Sequence, residues 1–125
     1  MQPDKEIMDQ LYKEFKVLET RPGKAGQSYD YVRSSDVVDR LNKVFGLGWS
    51  SHLLETWRET DPQGVVWIIK RVEIIVKDSN GEERVRQGEA GHPYLSNISP
   101  PDVHKSAYSK ALTKAASQLG IGLYL

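Results

Sequence analysis

The sequence contains no cysteine and only three histidines among its 125 residues. The lack of cysteine excludes disulfides, thiolate catalysis and cysteine-ligated zinc or iron–sulfur sites. The three histidines, His52, His92 and His104, lack the spacing of a zinc-binding motif, so neither a metal nor another cofactor is expected. The longest apolar stretch, residues 65–76, is interrupted by three charged residues, whereas a membrane helix needs about 20 apolar residues. No association with a membrane is therefore predicted.

An excess of charge of either sign is also missing, because 17 Lys and Arg balance 17 Asp and Glu and the pI is about 6.8. This balance argues against a uniformly basic nucleic-acid coat, although the sum hides where the charges lie. The polar N-terminus lacks the apolar segment of a signal peptide, which predicts an intracellular protein, in the cytoplasm or nucleoid for a bacterial or phage source. The length predicts one domain, residues 1–125, with a core of its own.

Apolar periodicity predicts an α+β fold in which two helices precede a three-stranded antiparallel meander that is packed by a C-terminal basic helix. The first helix lies within residues 1–20, with its apolar face running from position 4 to position 19. Glycine and proline then indicate a loop over 21–28, followed by a core over 29–125 with a short extended lead-in. The second helix is predicted from the N-cap candidates Ser34 and Ser35 to the glycines at 46 and 48.

Three strands are predicted over 49–59, 66–77 and 82–90. The middle strand alternates with period two, so that its apolar residues share one face. Tight turns are expected at 61–64 and at Asn80-Gly81, where a two-residue connection needs positive φ angles. Prolines mark residues 91–101 as an irregular crossing. The last helix follows and ends near Gly120, which is expected at the C′ position.

Motifs for enzymatic chemistry are missing. Gly23-Lys24 is followed by alanine instead of Ser or Thr, so no P-loop is present, and no G-x-S-x-G nucleophile elbow occurs. Asp36 and Asp39 could be paired catalytic carboxylates, but each has a basic residue four positions later, Arg40 and Lys43, as in ordinary helix-surface ion pairs. No catalytic residue is therefore predicted, and the protein is interpreted as a non-enzyme.

The last helix has a distinctive charge pattern, because residues 103–125 contain three lysines and no acid. Lys110 and Lys114 lie one turn apart on its polar face and Lys105 lies near its start. Such an arrangement suits contact with a phosphate backbone, which would be independent of sequence and sensitive to salt, but it is also compatible with a merely solubilising surface. Three basic residues of the predicted sheet would extend the patch if their side chains face the same way: Lys77, Arg84 and Arg86.

Two motifs at the ends of the core resemble a known family. Tyr31-Val32 followed by Asn42-x-x-Phe45-Gly46 and Gly48-Trp49, together with the C-terminal stretch ending in 120–125, Gly-Ile-Gly-Leu-Tyr-Leu, is similar to the single-strand annealing proteins of the Rad-fifty-two/Rad-twenty-two type. The C-terminal motif is most similar to the bacteriophage members. Lys77-Asp78 and a glycine pair at 88 and 91 fall where the family has a Lys-Asp-Gly hairpin and a glycine pair. The resemblance covers residues 29–125.

This resemblance implies single-stranded DNA binding and ATP-independent annealing of complementary strands in homologous recombination and DNA repair, as a recombinase that forms homo-oligomeric rings or filaments. A single-strand-binding protein or an exonuclease is the implied kind of protein partner. The family's DNA-binding positions match Lys105 and Lys114 on the last helix and Lys77 on the hairpin. Asp36 stands where eukaryotic members have a basic residue, and Arg33, Arg40 or a neighbouring subunit could supply that charge.

Three other interpretations are open from the sequence. A double-stranded RNA-binding domain is the main alternative, since it shares the order of helix, three strands and basic helix, and it predicts a monomer that prefers A-form duplexes. A small enzyme that uses His52 or His104 as a base would lose turnover of some substrate when that histidine is replaced. A purely structural oligomerisation module would assemble without affinity for DNA.

Overall fold

The computed structural model describes residues 4–15, 19–22 and 28–123. Its elements in chain order are α1 (Asp4–Tyr12), β1 (Glu19–Pro22), β2 (Ser28–Tyr31), α2 (Ser34–Phe45), β3 (Trp49–Thr60), β4 (Val66–Lys77), β5 (Glu83–Pro93) and α3 (Pro100–Ser117). β1 pairs with β2, and β3, β4 and β5 form an antiparallel meander in that order. The predicted α+β class is confirmed. No helix in the described part of the chain is long and apolar enough to cross a membrane.

β4 is the central strand, and its alternation gives the meander two chemically different faces. Ile68, Val72 and Ile74 are almost completely buried and face α3, because residues two apart on a strand point to the same side. We call this side the helix-side face. On the opposite side, the outer face, the Arg71 guanidinium pairs with Glu55 and Glu89 on the neighbouring strands, at 2.9 Å from each carboxylate.

α3 packs on β4 and β5 through small residues. Ala107, Ala111 and Ala115 are completely buried. Opposite them, a Cβ atom placed on Gly88 of β5 would lie only 2.3 Å from the backbone oxygen of Ala111 and from the backbone nitrogen of Ala115. The absence of a side chain at Gly88 therefore allows the backbone of β5 to touch the backbone of α3, which fixes the helix over this strand.

The first two helices complete the core at the other end of α3. Leu11 of α1 and Leu41 of α2 are buried in the main apolar cluster. The Arg40 guanidinium donates to the last carbonyls of α1 and to that of Lys13, with nitrogen to oxygen distances of 2.8 to 3.3 Å, and lies 4.1 Å from the centroid of the Phe15 ring. Arg40 therefore supplies the donors that the C-terminus of α1 lacks and favours its dipole.

The predicted first helix is too long. α1 ends at Tyr12, residues 16–18 lie outside the described part, and Glu19–Pro22 is a strand paired with β2. The apolar periodicity that predicted a longer helix continued through Phe15, which instead packs against the apolar core in a non-helical segment. Residues 23–27 of the predicted loop also lie outside the described residues, and the lead-in at 29–32 forms most of β2.

Two strand ends also differ from the prediction. β5 continues to Pro93, three residues beyond its expected end, and Pro93 is tolerated because it is the last residue of an edge strand. The connection between β4 and β5 spans residues 78–82 instead of two residues. The Asp78 carboxylate accepts hydrogen bonds from the backbone amides of Asn80 and Glu82 and so stabilises this longer turn.

Two helix ends need smaller corrections. α2 is confirmed, but its N-cap is Arg33, which makes no side-chain capping bond, and Ser34 is already helical. The last helix ends at Ser117, with Gln118 as its C-cap. Gly120 therefore does not occupy the C′ position, although it has a φ of 105°, a conformation that disfavours residues with a Cβ atom.

Candidate nucleic-acid interface

One side of α3 lies along β5 and carries polar residues at intervals of one turn. Lys110, Lys114 and Gln118 follow each other at four-residue spacing, which places them on one side of a helix. The Lys110 Nζ atom is 2.9 Å from Nδ1 of His92. At the other end, Gln118 donates a hydrogen bond to the backbone carbonyl of Gln87. Lys114 is therefore held between two anchored positions on this surface, which we call the α3–β5 flank.

Lys114 has the most available charge on the flank. Its side chain is exposed, and its ammonium group makes no hydrogen bond or ion pair within the described residues. After Asp102, α3 contains no acidic residue. A phosphate group that approaches Lys114 thus meets a cation with no competing carboxylate on the same helix.

Lys110 is half-buried and its position is fixed by His92. A lysine ammonium can only donate, so Nδ1 of His92 accepts in this contact. The contact leaves the charge on Lys110 while it restricts the side chain. Lys110 therefore adds positive potential beside Lys114 at a defined place.

Arg84 and Arg86 both lie on the helix-side face of β5, opposite Val76 and Ile74 of β4. Their electrostatic environments differ. Arg84 pairs with Asp78 at 3.0 Å and approaches Glu82 at 3.9 Å, so most of its charge is neutralised. Arg86 donates to the backbone carbonyl of its neighbour Val85 and has no carboxylate within ion-pair distance among the described residues. Arg86 therefore extends the α3–β5 flank, whereas Arg84 stabilises the turn.

The other basic candidates are separated from this flank. Lys105 precedes Lys110 by five residues, which is a rotation of about 140° around a helix with 3.6 residues per turn. Lys77 lies on the outer face of the meander, because it alternates with the buried residues of β4. Arg33 lies at the start of α2, where it pairs with Asp36 at 3.2 Å. The predicted site residues are therefore spread over several surfaces.

The helix-surface ion pairs predicted for α2 are half right. Asp39 and Lys43 form the expected pair at 2.9 Å. Asp36 pairs with Arg33 instead of Arg40, because Arg40 turns towards the C-terminus of α1. The suggestion that Arg40 supplies a missing charge to a DNA groove is therefore disfavoured, since its guanidinium is engaged with backbone carbonyls and with an aromatic ring.

Sequence reasoning missed three residues on the helix-side face: Arg58, Lys70 and His92. Lys70 is only 6% exposed, and its ammonium donates to Oγ1 of Thr56 at 3.1 Å. Burial lowers the pKa of Lys70, because the charged form loses hydration. The alternation of β4 indicated this placement, because Lys70 lies two residues from both Ile68 and Val72 and therefore points to the same face.

The outer face has the opposite electrostatic character. Glu55, Glu73 and Glu89 lie there around Arg71, as the strand register shows. His52 also lies there, with Nδ1 3.5 Å from the Glu73 carboxylate. Among the residues the structure describes, no three His, Asp or Glu side chains are grouped to hold a metal ion. A polyanion is therefore attracted to the helix side of the meander and repelled by its outer face.

The comparison with protein-family models gives a match over nearly the whole chain. Residues 4–125 match the model described as Rad52/22 family double-strand break repair protein. The match includes α1 as well as the core, and so extends beyond the region in which the sequence motifs lie. No curated protein matches the chain.

Proposed function

This chain belongs to the Rad52/22 family of double-strand break repair proteins, and we propose that it binds single-stranded DNA and anneals complementary strands without ATP. The observation that carries this proposal is the α3–β5 flank. Lys114 is exposed there without a counter-ion among the described residues. Lys110 lies one helical turn away, and Arg86 lies on the helix-side face of β5. The family's annealing role and the cationic flank agree in pointing to a phosphate backbone as the ligand.

The proposed mechanism is electrostatic and needs no reacting group. Lysine and arginine side chains replace the counter-ions of the phosphates, so two complementary strands repel each other less when one of them is bound. A strand held by its backbone keeps its bases accessible and free of internal pairing. Pairing is then faster because the protein raises the local concentration of DNA strands and holds the bound strand in an extended conformation.

A single copy of the chain offers a short track. Lys110 and Lys114 are separated by four residues, or about 6 Å along the helix axis. Many copies in a ring or filament would join such tracks into one continuous groove, and we propose that the protein acts as this kind of homo-oligomer. The more specific expectations, a bacteriophage-like subtype and an exonuclease or single-strand-binding protein as partner, remain predictions.

The test measures binding of a fluorescent oligo(dT) strand by anisotropy across a salt series. Each phosphate contact on a single strand contributes about 0.7 to the slope of log K against log salt. We expect Lys114→Gln to lower that slope by about 0.7 per protomer and to weaken binding. Lys43→Gln is the matched control, because Lys43 is an exposed lysine of α2 that is paired with Asp39.

Two outcomes would contradict the proposal. Equal effects of Lys114→Gln and Lys43→Gln would show that only net charge matters and that the flank is not the site. Preference for duplex RNA over oligo(dT) in the same assay would favour the double-stranded RNA-binding alternative. Sedimentation of both variants shows whether assembly is intact, so that a loss of binding is not confused with a loss of oligomer.

A further inference from the structure

The three histidines of the chain have different surroundings, and one of them lies within the α3–β5 flank. His92 is opposite the buried Ile68 of β4 in the strand register, so its side chain points to the helix-side face. There its Nδ1 atom lies 2.9 Å from the ammonium nitrogen of Lys110. His52 lies on the outer face, and His104 lies in the first turns of α3. His92 is therefore the histidine next to the proposed path of a bound strand.

The contact between His92 and Lys110 requires that Nδ1 of the imidazole carries no proton. A protonated histidine has a proton on both ring nitrogens, and a lysine ammonium can also only donate, so the two groups would then have no acceptor between them. Two adjacent cations also repel each other. An anion between them removes both costs, because its oxygens accept from both donors and its charge favours both charged forms. Protonation of His92 and binding of a phosphate at this place therefore favour each other.

The charged and titratable groups around His92 are mostly cations. The described residues place Arg58 on β3, Lys70 on β4, Tyr94 after β5, and Asp102, Lys110 and Lys114 on α3. The acid among them, Asp102, accepts a hydrogen bond from the N-cap serine of α3 and precedes Lys110 by about 12 Å along the helix axis. His104 and Lys105 are rotated around α3 by more than about 100° from Lys110. Histidine is the side chain that ordinarily changes charge between about pH 5.5 and 7.5, so in this interval we expect the charge on the flank to change at His92.

We propose that binding of a DNA strand to the α3–β5 flank is coupled to protonation of His92, which then joins Lys110 and Lys114 as a further cationic contact. The inference rests on the proposed function, because it concerns the regulation of the same site. In the protein without DNA, the unprotonated Nδ1 accepts from Lys110. When a phosphate lies between the two side chains, His92 takes up a proton from solution and both side chains donate to the phosphate oxygens. Strand binding is therefore tighter in mildly acidic solution.

The test measures oligo(dT) affinity by anisotropy on the full chain at pH 5.5 and pH 7.5. One additional contact with a slope of about 0.7 corresponds to about fivefold tighter binding at 0.1 M salt, so we expect the wild type to bind about fivefold more tightly at the lower pH. His92→Asn should abolish this ratio, because asparagine offers Lys110 an acceptor but takes up no proton. His52→Asn and His104→Asn are the matched controls, and both should keep the ratio of the wild type.

The outcomes separate this inference from the proposed function. If the wild type does not bind oligo(dT) at either pH, both fail together. If Lys114→Gln weakens binding, but the wild type and His92→Asn depend on pH in the same way, the flank is the DNA site and only the coupling is overturned. A ratio that is lost in His52→Asn or His104→Asn instead would assign the proton to that histidine and would also overturn it. Thermal unfolding at both pH values shows that each variant is folded before its binding is interpreted.

A second measurement counts the protons directly and needs only the wild type. Isothermal titration calorimetry with oligo(dT) at pH 6.5 is repeated in two buffers with different enthalpies of ionisation, and the difference in binding enthalpy gives the number of protons taken up. We expect net uptake of a fraction of a proton for each protomer that binds DNA, because part of His92 is unprotonated before binding at this pH. Binding without any proton uptake would overturn the coupling even if His92→Asn failed to fold.

Discussion

Replacement of Gly88 by alanine should destabilise the protein strongly, because the added methyl group has no space. Its carbon would lie 2.3 Å from the backbone oxygen of Ala111 and the backbone nitrogen of Ala115. Backbone atoms cannot rotate away as a side chain can, so α3 would have to move by about 1 Å to restore normal van der Waals separations. Overpacking of this kind costs about 1–3 kcal/mol, which for a domain of this size lowers Tm by roughly 5–15 °C.

The assay is thermal unfolding followed by circular dichroism, at one fixed protein concentration because assembly would make Tm concentration-dependent. Gly91→Ala is the matched control on the same strand. There the new carbon would lie 3.0 Å from Cγ1 of Ile69, a side-chain atom that can move at a cost of about 1 kcal/mol. The nearest backbone atom, the oxygen of Ile68, would be 3.3 Å away, so it has to shift by only a few tenths of an ångström. If Gly88→Ala melts within about 2 °C of the wild type, α3 does not contact β5 as closely as described, and the geometry of the α3–β5 flank is wrong.

Three further predictions follow from individual interactions. Arg40→Met keeps the apolar stem but removes the donors to the C-terminus of α1, and should cost about 1–3 kcal/mol in urea unfolding and accelerate hydrogen exchange in α1. The pKa of Asp61 is lowered from 3.8 by donation from the Trp67 indole and from the Val65 and Gln63 amides. The Asp61 carboxylate therefore contributes its full stabilisation above the unfolded pKa, and this stabilisation is lost as the pH falls through the folded pKa. The difference in urea midpoint between the wild type and Asp61→Asn should accordingly shrink below about pH 4. Burial lowers the pKa of Lys70 from 10.5, so the wild type gains stability as the pH rises towards that unfolded value. The free energy of unfolding of the wild type should therefore increase in this pH range relative to that of Lys70→Met.

The central part of the fold was predictable because short-range patterns decide it. The alternation in β4 has to place Ile68, Val72 and Ile74 on one side of a strand, and burial of that side against a helix follows. The same parity placed Lys77 and Arg71 on the other face. α2 and α3 were predictable from their apolar spacing, since each has a continuous apolar side that is stable only when it is buried. α3 buries this side on the sheet, and α2 buries it mainly against the other two helices.

The features that failed depend on contacts between distant residues. The hairpin of β1 and β2 is held by pairing between Glu19–Pro22 and Ser28–Tyr31, and nothing in the short segments themselves indicates it. The candidate site also depends on contacts between residues that are distant in the sequence. Whether a lysine or arginine is available for DNA is decided by its neighbours. Arg84 has two carboxylates beside it, whereas Arg86 has none among the residues that the structure describes. Charge counting along the sequence could not separate these two residues.

We propose that the protein anneals complementary single strands, and the decisive experiment follows the rate at which two complementary fluorescent oligonucleotides pair. The measurement is made without ATP, with and without the protein, at two salt concentrations. We expect the protein to accelerate pairing strongly, high salt to suppress this acceleration, and Lys114→Gln to reduce it more than Lys43→Gln does. Pairing at the uncatalysed rate, under conditions in which the protein is folded and assembled, would contradict it.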